Sequence, residues 1–161
     1  MIDTRDVLIT FSEELNRRME EKGVSYRQVA FAVRVARGSM IHYKSRYCFP
    51  KLWILVLIAN YLECSVNELL GYPVCFSNSD RKYDAIELYP NEDVFIDYFR
   101  DRLRQQMRLE DVSSQQLAMK TGFKVDTIEM YLSVHRWIPQ VPDFLVLCDA
   151  LKCTPSDLLG Y

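Results

Sequence analysis

The sequence predicts an all-α protein made of two tandem five-helix domains. Three observations support this prediction: apolar residues recur at helical spacing, polar capping residues precede the short segments, and the whole pattern returns 88 or 89 residues later. The 161 residues, 49% apolar and 26% charged, have the composition of an ordinary soluble globular protein. We therefore expect domains at residues 1–72 and 92–161, joined by an irregular linker at 73–91 that partly docks on them.

The first domain begins with a long amphipathic helix over residues 4–21, which Gly23 ends. Its apolar face comprises Leu8, Phe11, Leu15 and Met19. A fourth helix is expected to start at Pro50, where a missing N–H costs nothing, and to be buried. Its apolar residues are Leu52, Leu55, Val56, Ile58, Ala59 and Leu62. Ser65 and Glu68 form a capping box that opens a short fifth helix.

Two short helices joined by a tight turn lie between the first and fourth helices. Ser25 is the expected N-cap of the second helix, and Gln28 completes its capping box. The third helix directs polar and basic side chains outward from Arg37 to Arg46, while Met40 and Tyr43 form its apolar side. Two short helices at a sharp angle, the second one basic, are typical of proteins that insert a helix into the DNA major groove.

The charge distribution favours the same interpretation, although the formal net charge is −2. Residues 22–62 contain no Asp or Glu. They carry seven positive charges, on Lys22, Arg27, Arg34, Arg37, Lys44, Arg46 and Lys51. A surface of one sign attracts phosphates even when the overall pI, here about 5.7, conceals it.

An internal repeat defines the second domain. At an offset of 88, Phe11, Leu15, Met19, Val24, Ser25, Gln28, Ala30, Tyr43 and Ser45 align with Phe99, Leu103, Met107, Val112, Ser113, Gln116, Ala118, Tyr131 and Ser133. At an offset of 89, Pro50, Leu62, Cys64 and residues 69–72 align with Pro139, Leu151, Cys153 and residues 158–161. Asn91 is the expected N-cap of the first helix of the second domain.

The ordered features of each copy resemble the Cro/C1-type (XRE family) helix-turn-helix domain, which has the lambda-repressor-like fold. These features are a capped Ser-x-x-Gln helix, a turn, a second helix, a proline, an apolar helix and a closing Leu-Leu-Gly. The resemblance covers residues 4–72 and 92–161. It implies a compact helical domain that binds operator DNA as a transcriptional regulator.

The resemblance also implies contact residues in the first copy. Base edges would be contacted by Arg37, Gly38, Ser39 and His42, and phosphates by Tyr26, Arg27, Lys44 and Arg46. Arg37 has the geometry to pair with guanine O6 and N7, and Ser39 and His42 can exchange hydrogen bonds with bases.

The second copy has lost most of these groups. Val125, Asp126, Thr127 and Met130 occupy the base-facing positions, and Lys120, Lys124, Thr127 and Arg136 remain as possible DNA contacts. We expect this copy to mediate protein interaction or dimerisation, or to contact DNA weakly.

One departure from the family pattern affects the first copy. Arg34 stands where the family usually has glycine and where the second copy has Gly122. Positive φ costs a side-chain-bearing residue about 1 kcal/mol. A turn rebuilt around residues 33–35 would shift the base-contacting residues by one.

The sequence thus predicts a cytoplasmic transcriptional regulator, in particular a repressor, that binds double-stranded DNA as a homodimer. A pseudo-twofold relation between the copies within one chain is the alternative to a dimer. No catalytic or metal site, cofactor, small-molecule effector or membrane segment is expected. The competing hypothesis is a protein-interaction module, antitoxin-like or anti-repressor, that uses the same scaffold with little DNA binding.

Overall fold

The computed structural model describes residues 3–72, 90–134 and 137–159, and every regular element in these ranges is an α-helix. The predicted all-α class is therefore confirmed. Contacts divide the chain into two compact units, whose described parts are residues 3–72 and residues 90–159 without 135–136. No helix within the described ranges is long and apolar enough to cross a membrane.

Each unit contributes five of the described helices. The first unit contains α1 (Thr4–Lys22), α2 (Tyr26–Ala32), α3 (Arg37–Lys44), α4 (Leu52–Leu62) and α5 (Val66–Leu70). The second contains α6 (Glu92–Leu109), α7 (Ser114–Thr121), α8 (Val125–Leu132), α9 (Val141–Ala150) and α10 (Pro155–Leu159). In the first unit, α1 packs on α3, α4 and α5, and α2 packs on α3 and α4.

All five helices of the first unit contribute buried apolar residues to its core. All six apolar residues predicted for α4 are buried, as are Phe11, Leu15 and Met19 of α1, whereas Leu8 is only partly buried. The prediction that Pro50 starts α4 is wrong: Lys51 is the N-cap and Leu52 the first helical residue. Pro50 instead is buried just ahead of the cap.

The helix bounds of the two units agree to within one residue after the sequence offset. Adding 88 to the bounds of α3 gives those of α8, and adding 89 to the bounds of α5 gives those of α10. Asn91 caps α6, since its side-chain oxygen accepts a 3.0 Å hydrogen bond from the Val94 N–H. The expectation that the linker partly docks concerns residues 73–89, which lie outside the described residues.

Left-handed backbone occurs at matching positions of both units, on different residue types. Gly23 (φ 66°) ends α1, and its equivalent in the second unit is Asp111 (φ 51°). Conversely, Arg34 (φ 56°) corresponds to Gly122 (φ 77°). The turn conformation at these positions therefore follows from the fold rather than from the presence of glycine.

Candidate nucleic-acid interface

The start of α2 is fixed by the predicted capping box. The Ser25 N–H donates to Gln28 Oε1 at 2.8 Å, and the Gln28 N–H donates to the Ser25 hydroxyl at 3.4 Å. These bonds satisfy N–H groups that a helix start otherwise leaves unpaired. Tyr26 and Arg27 consequently occupy the first turn of α2, with Arg27 exposed.

The turn between α2 and α3 keeps its left-handed residue despite the missing glycine. The Arg34 N–H donates to Phe31 O at 3.3 Å, and the Val35 N–H donates to Ala30 O at 3.0 Å, closing the end of α2. The turn is therefore not rebuilt, since Arg34 adopts positive φ and these bonds are kept. Helix α3 accordingly starts at Arg37, the predicted first residue.

Helix α3 is anchored by its apolar side and exposes its polar side. Met40 is fully buried, whereas Arg37, Gly38 and His42 are exposed and Ser39 is partly buried. The predicted end at Arg46 is two residues too late. The helix ends at Lys44, because Ser45 is the C-cap and Arg46 lies in left-handed backbone at φ 62°.

Two cations lie close to the ring of Tyr26, and a third, Arg37, adds its charge. The Lys44 ammonium lies 5.6 Å and the Arg27 guanidinium 5.8 Å from the ring centroid, and Arg27 Nε donates to the Tyr26 hydroxyl at 3.3 Å. The hydrogen bond from Arg27, with the charges of Arg27, Arg37 and Lys44, lowers the pKa of Tyr26. We name Tyr26, Arg27, Arg37 and Lys44 the Tyr26 cluster; it joins the start of α2 to α3.

Two of the seven cations of the acid-free segment are neutralised by acids that flank it in sequence. Arg46 pairs with Glu13 at 2.7 Å, and Lys22 pairs with Glu63 at 2.9 Å. Among the residues that the structure describes, no carboxylate lies within 4.0 Å of the other five cations, which are Arg27, Arg34, Arg37, Lys44 and Lys51. Arg46 is therefore less available to phosphates than the sequence suggests.

Sequence reasoning missed three residues that shape this surface. Tyr47 is 76% exposed, and its ring lies 5.0 Å from that of His42 between centroids. Ser12 and Asn16, on α1, donate to the Lys44 carbonyl at 2.7 and 3.1 Å. No rule of sequence spacing links Ser12 or Asn16 to α3. A polar residue at position 12, inside the apolar face of α1, could nevertheless have indicated a buried hydrogen bond.

The corresponding surface of the second unit combines exposed apolar side chains with charges of both signs. Met119, Val125 and Met130 are exposed beside Asp126, and Lys124 caps α8. An open cleft of about 580 Å³ lies between α7 and α8; its lining includes Met119, Phe123, Val125 and Asp126. Of the possible DNA contacts, Lys120 and Lys124 are exposed and Thr127 is partly buried, while Arg136 lies outside the described residues.

The helix order, the capped second helix and the tight turn define a helix-turn-helix fold. Residues 102–161 match the family model of the Cro/C1-type HTH DNA-binding domain, so the second unit contains such a domain. This match indicates a DNA-binding transcription regulator, and the family is typically non-enzymatic. No curated protein and no solved structure matches the chain significantly. The described residues hold no group of three or more potential metal ligands.

Proposed function

We propose that the protein is a sequence-specific transcriptional repressor that inserts α3 into the DNA major groove. The observation that carries this proposal is the exposed polar face of α3 beside the Tyr26 cluster. Arg37, Ser39 and His42 offer hydrogen-bonding groups to base edges, with Arg37 suited to guanine. Arg27 and Lys44 flank them as phosphate contacts that set the register of the helix in the groove.

The proposal includes the first unit as a second Cro/C1-type domain. The family match covers residues 102–161 of the second unit. The matching helix bounds, the shared capping boxes and the shared left-handed positions support extending the assignment to residues 1–72. The linker is then the segment 73–91. This arrangement gives one chain two scaffolds of the same kind with different surfaces.

The second unit, in this proposal, holds the repressor in a homodimer. A single recognition helix buries too little surface for tight operator binding, so two copies per operator are expected. Exposed apolar residues favour a protein-contact role, since Met119 is 77%, Val134 72% and Trp137 56% exposed. The same observation favours the second candidate function, a protein-interaction module with little DNA affinity.

Selection of a binding site from random duplex DNA, followed by anisotropy titrations over a salt series, tests the proposal. Wild type should bind the selected duplex with an affinity that falls steeply as salt rises, because phosphate contacts release counterions. Arg37→Ala should cost about 1–3 kcal/mol on the selected duplex and relax the preference at one position. Lys44→Ala should weaken binding to all duplexes alike and reduce the salt slope by about 1.

Lys152→Ala is the matched control. Lys152 is 75% exposed and lies outside both helix-turn-helix segments, so its removal should leave affinity and salt slope unchanged. Absence of binding by wild type at low salt would refute DNA recognition and favour the interaction module. Sedimentation equilibrium of the full chain, alone and with the selected duplex, separately reports whether two copies assemble.

A further inference from the structure

We infer that Ser12 and Asn16 are positioning residues that fix the orientation of α3, the recognition helix. Both lie on α1, and both donate to one acceptor, the carbonyl oxygen of Lys44. The Ser12 hydroxyl is 2.7 Å and the Asn16 amide 3.1 Å from that oxygen. This inference rests on the proposed function, since it concerns how α3 is presented to DNA.

The acceptor is a group that a helix cannot satisfy by itself. Lys44 is the last residue of α3, and the final four carbonyls of an α-helix have no intrahelical partner. Ser12 is nearly fully buried, at 1% exposure, and Asn16 Nδ2 is also held 2.8 Å from the Ser12 carbonyl. The two donors are therefore fixed in place before any ligand arrives.

The second unit shows the same contact with a different residue. Arg104 on α6 donates from Nη2 to the Leu132 carbonyl at 2.5 Å. Arg104 and Leu132 are the equivalents of Asn16 and Lys44 at the offset of 88. An anchor from the first helix of the unit to the last carbonyl of the recognition helix thus occurs in both units, although no side chain is shared.

The anchor bears on recognition because it acts at Lys44, which is the last residue of α3 and a member of the Tyr26 cluster. Lys44 contributes its carbonyl to the anchor and its ammonium to the face of Tyr26. Fixing the carbonyl holds the C-terminal end of α3 against α1, while Met40 holds its middle. The exposed side chains of Arg37, Ser39 and His42 then keep one orientation toward base edges, and rigid support of this kind is what precise contacts require.

The test uses the full chain with the double substitution Ser12→Ala and Asn16→Ala. Without DNA, hydrogen exchange should accelerate about tenfold at the amides of Ser45 and Tyr47, which donate to Ile41 O and His42 O at the end of α3. With DNA, the ratio of affinities for the selected and a scrambled duplex should fall about tenfold. Affinity for the scrambled duplex and the salt slope should remain, because the cations remain.

Asn16→Arg in the Ser12→Ala background is the rescue variant, because it reproduces the arrangement of Arg104. It should restore both the slow exchange and the affinity ratio; an added charge alone would raise affinity for both duplexes and leave the ratio low.

Unchanged exchange in the double variant would overturn the anchor. Faster exchange with an unchanged affinity ratio would also overturn the inference, since the contact would then serve stability alone. Failure of wild type to bind DNA would refute the proposed function, while the exchange measurement would still report on the anchor.

Discussion

Replacing Arg34 with glycine should stabilise the first unit, because Arg34 is held in left-handed backbone at φ 56°. That conformation costs a residue with a Cβ about 1–2 kcal/mol. Glycine removes this cost but loses more backbone freedom on folding, which offsets about 0.5–1 kcal/mol. The net expectation is an increase of about 0.5–1 kcal/mol in the free energy of unfolding.

Urea unfolding of the full chain measures this change if the fluorescence signal comes from the first unit alone. The chain has two tryptophans, and Trp137 is 56% exposed, so a Trp137→Phe background should leave Trp53 as the fluorescent reporter of the first unit. With a urea slope of about 1–3 kcal/mol per molar, the midpoint should rise by about 0.2–1 M.

Two variants separate backbone strain from the loss of charge. Arg34→Ala removes the guanidinium and keeps the Cβ, so it should give no gain. Gly122→Arg is the mirror change in the second unit; nothing lies within 4 Å of a Cβ at Gly122, so only the φ of +77° opposes it. It should destabilise that unit by a similar amount. The fluorescence of Trp137 in a Trp53→Phe background would measure this change. Equal midpoints for Arg34→Gly and Arg34→Ala would refute the reasoning.

Three further predictions concern the first unit. Gly71→Ala should cost about 2 kcal/mol or more in urea unfolding, because its Cβ would lie 2.5 Å from Thr10 Cγ2 at a φ of +72°; a cost near 1 kcal/mol would mean that Thr10 moves freely. Burial raises the pKa of Cys64 to about 12, so an aromatic disulfide reagent at pH 8 should not modify it in the native protein, as peptide mapping would show. Burial raises the pKa of Glu68, but hydrogen bonds from Ser65, together with the charge and hydrogen bond of Arg18, outweigh it and leave the pKa below its usual 4.5. The resulting stabilisation is complete above pH 4.5 and is lost as pH falls through the lower folded value, so the stability difference between wild type and Glu68→Gln should shrink from pH 6 to pH 3.

The helical scaffold was predictable because its signals are local or repeated. The apolar residues of α4 recur at a helical period, and the Ser25 and Ser65 capping boxes mark the starts of α2 and α5. The internal repeat places the same signals at equivalent positions of the two units. The missed start of α4 has a local reason: Pro50 is acceptable both inside a first turn and just before a cap, and sequence does not distinguish the two.

The surface around α3 was less predictable, because it depends on contacts distant in sequence. Glu13 lies outside the acid-free segment in sequence but pairs with Arg46 in space. Arg46 itself lies beyond the end of α3 in left-handed backbone, a conformation that an arginine in the sequence does not indicate. The Ser12 contact with Lys44 spans 32 residues, which no periodicity reveals. Exposure of Arg37 and His42 followed from helix geometry alone, once Met40 was assigned to the buried side.

The positive charges around Tyr26 affect the protonation of its hydroxyl group. Its pKa is lowered by the hydrogen bond from Arg27 and by the positive charges of its neighbours. A phosphate that approached Arg27 and Lys44 would compete for that hydrogen bond and neutralise those charges, so the pKa of Tyr26 would return toward its ordinary value. The pKa of Tyr26 would therefore report phosphate binding at Arg27 and Lys44.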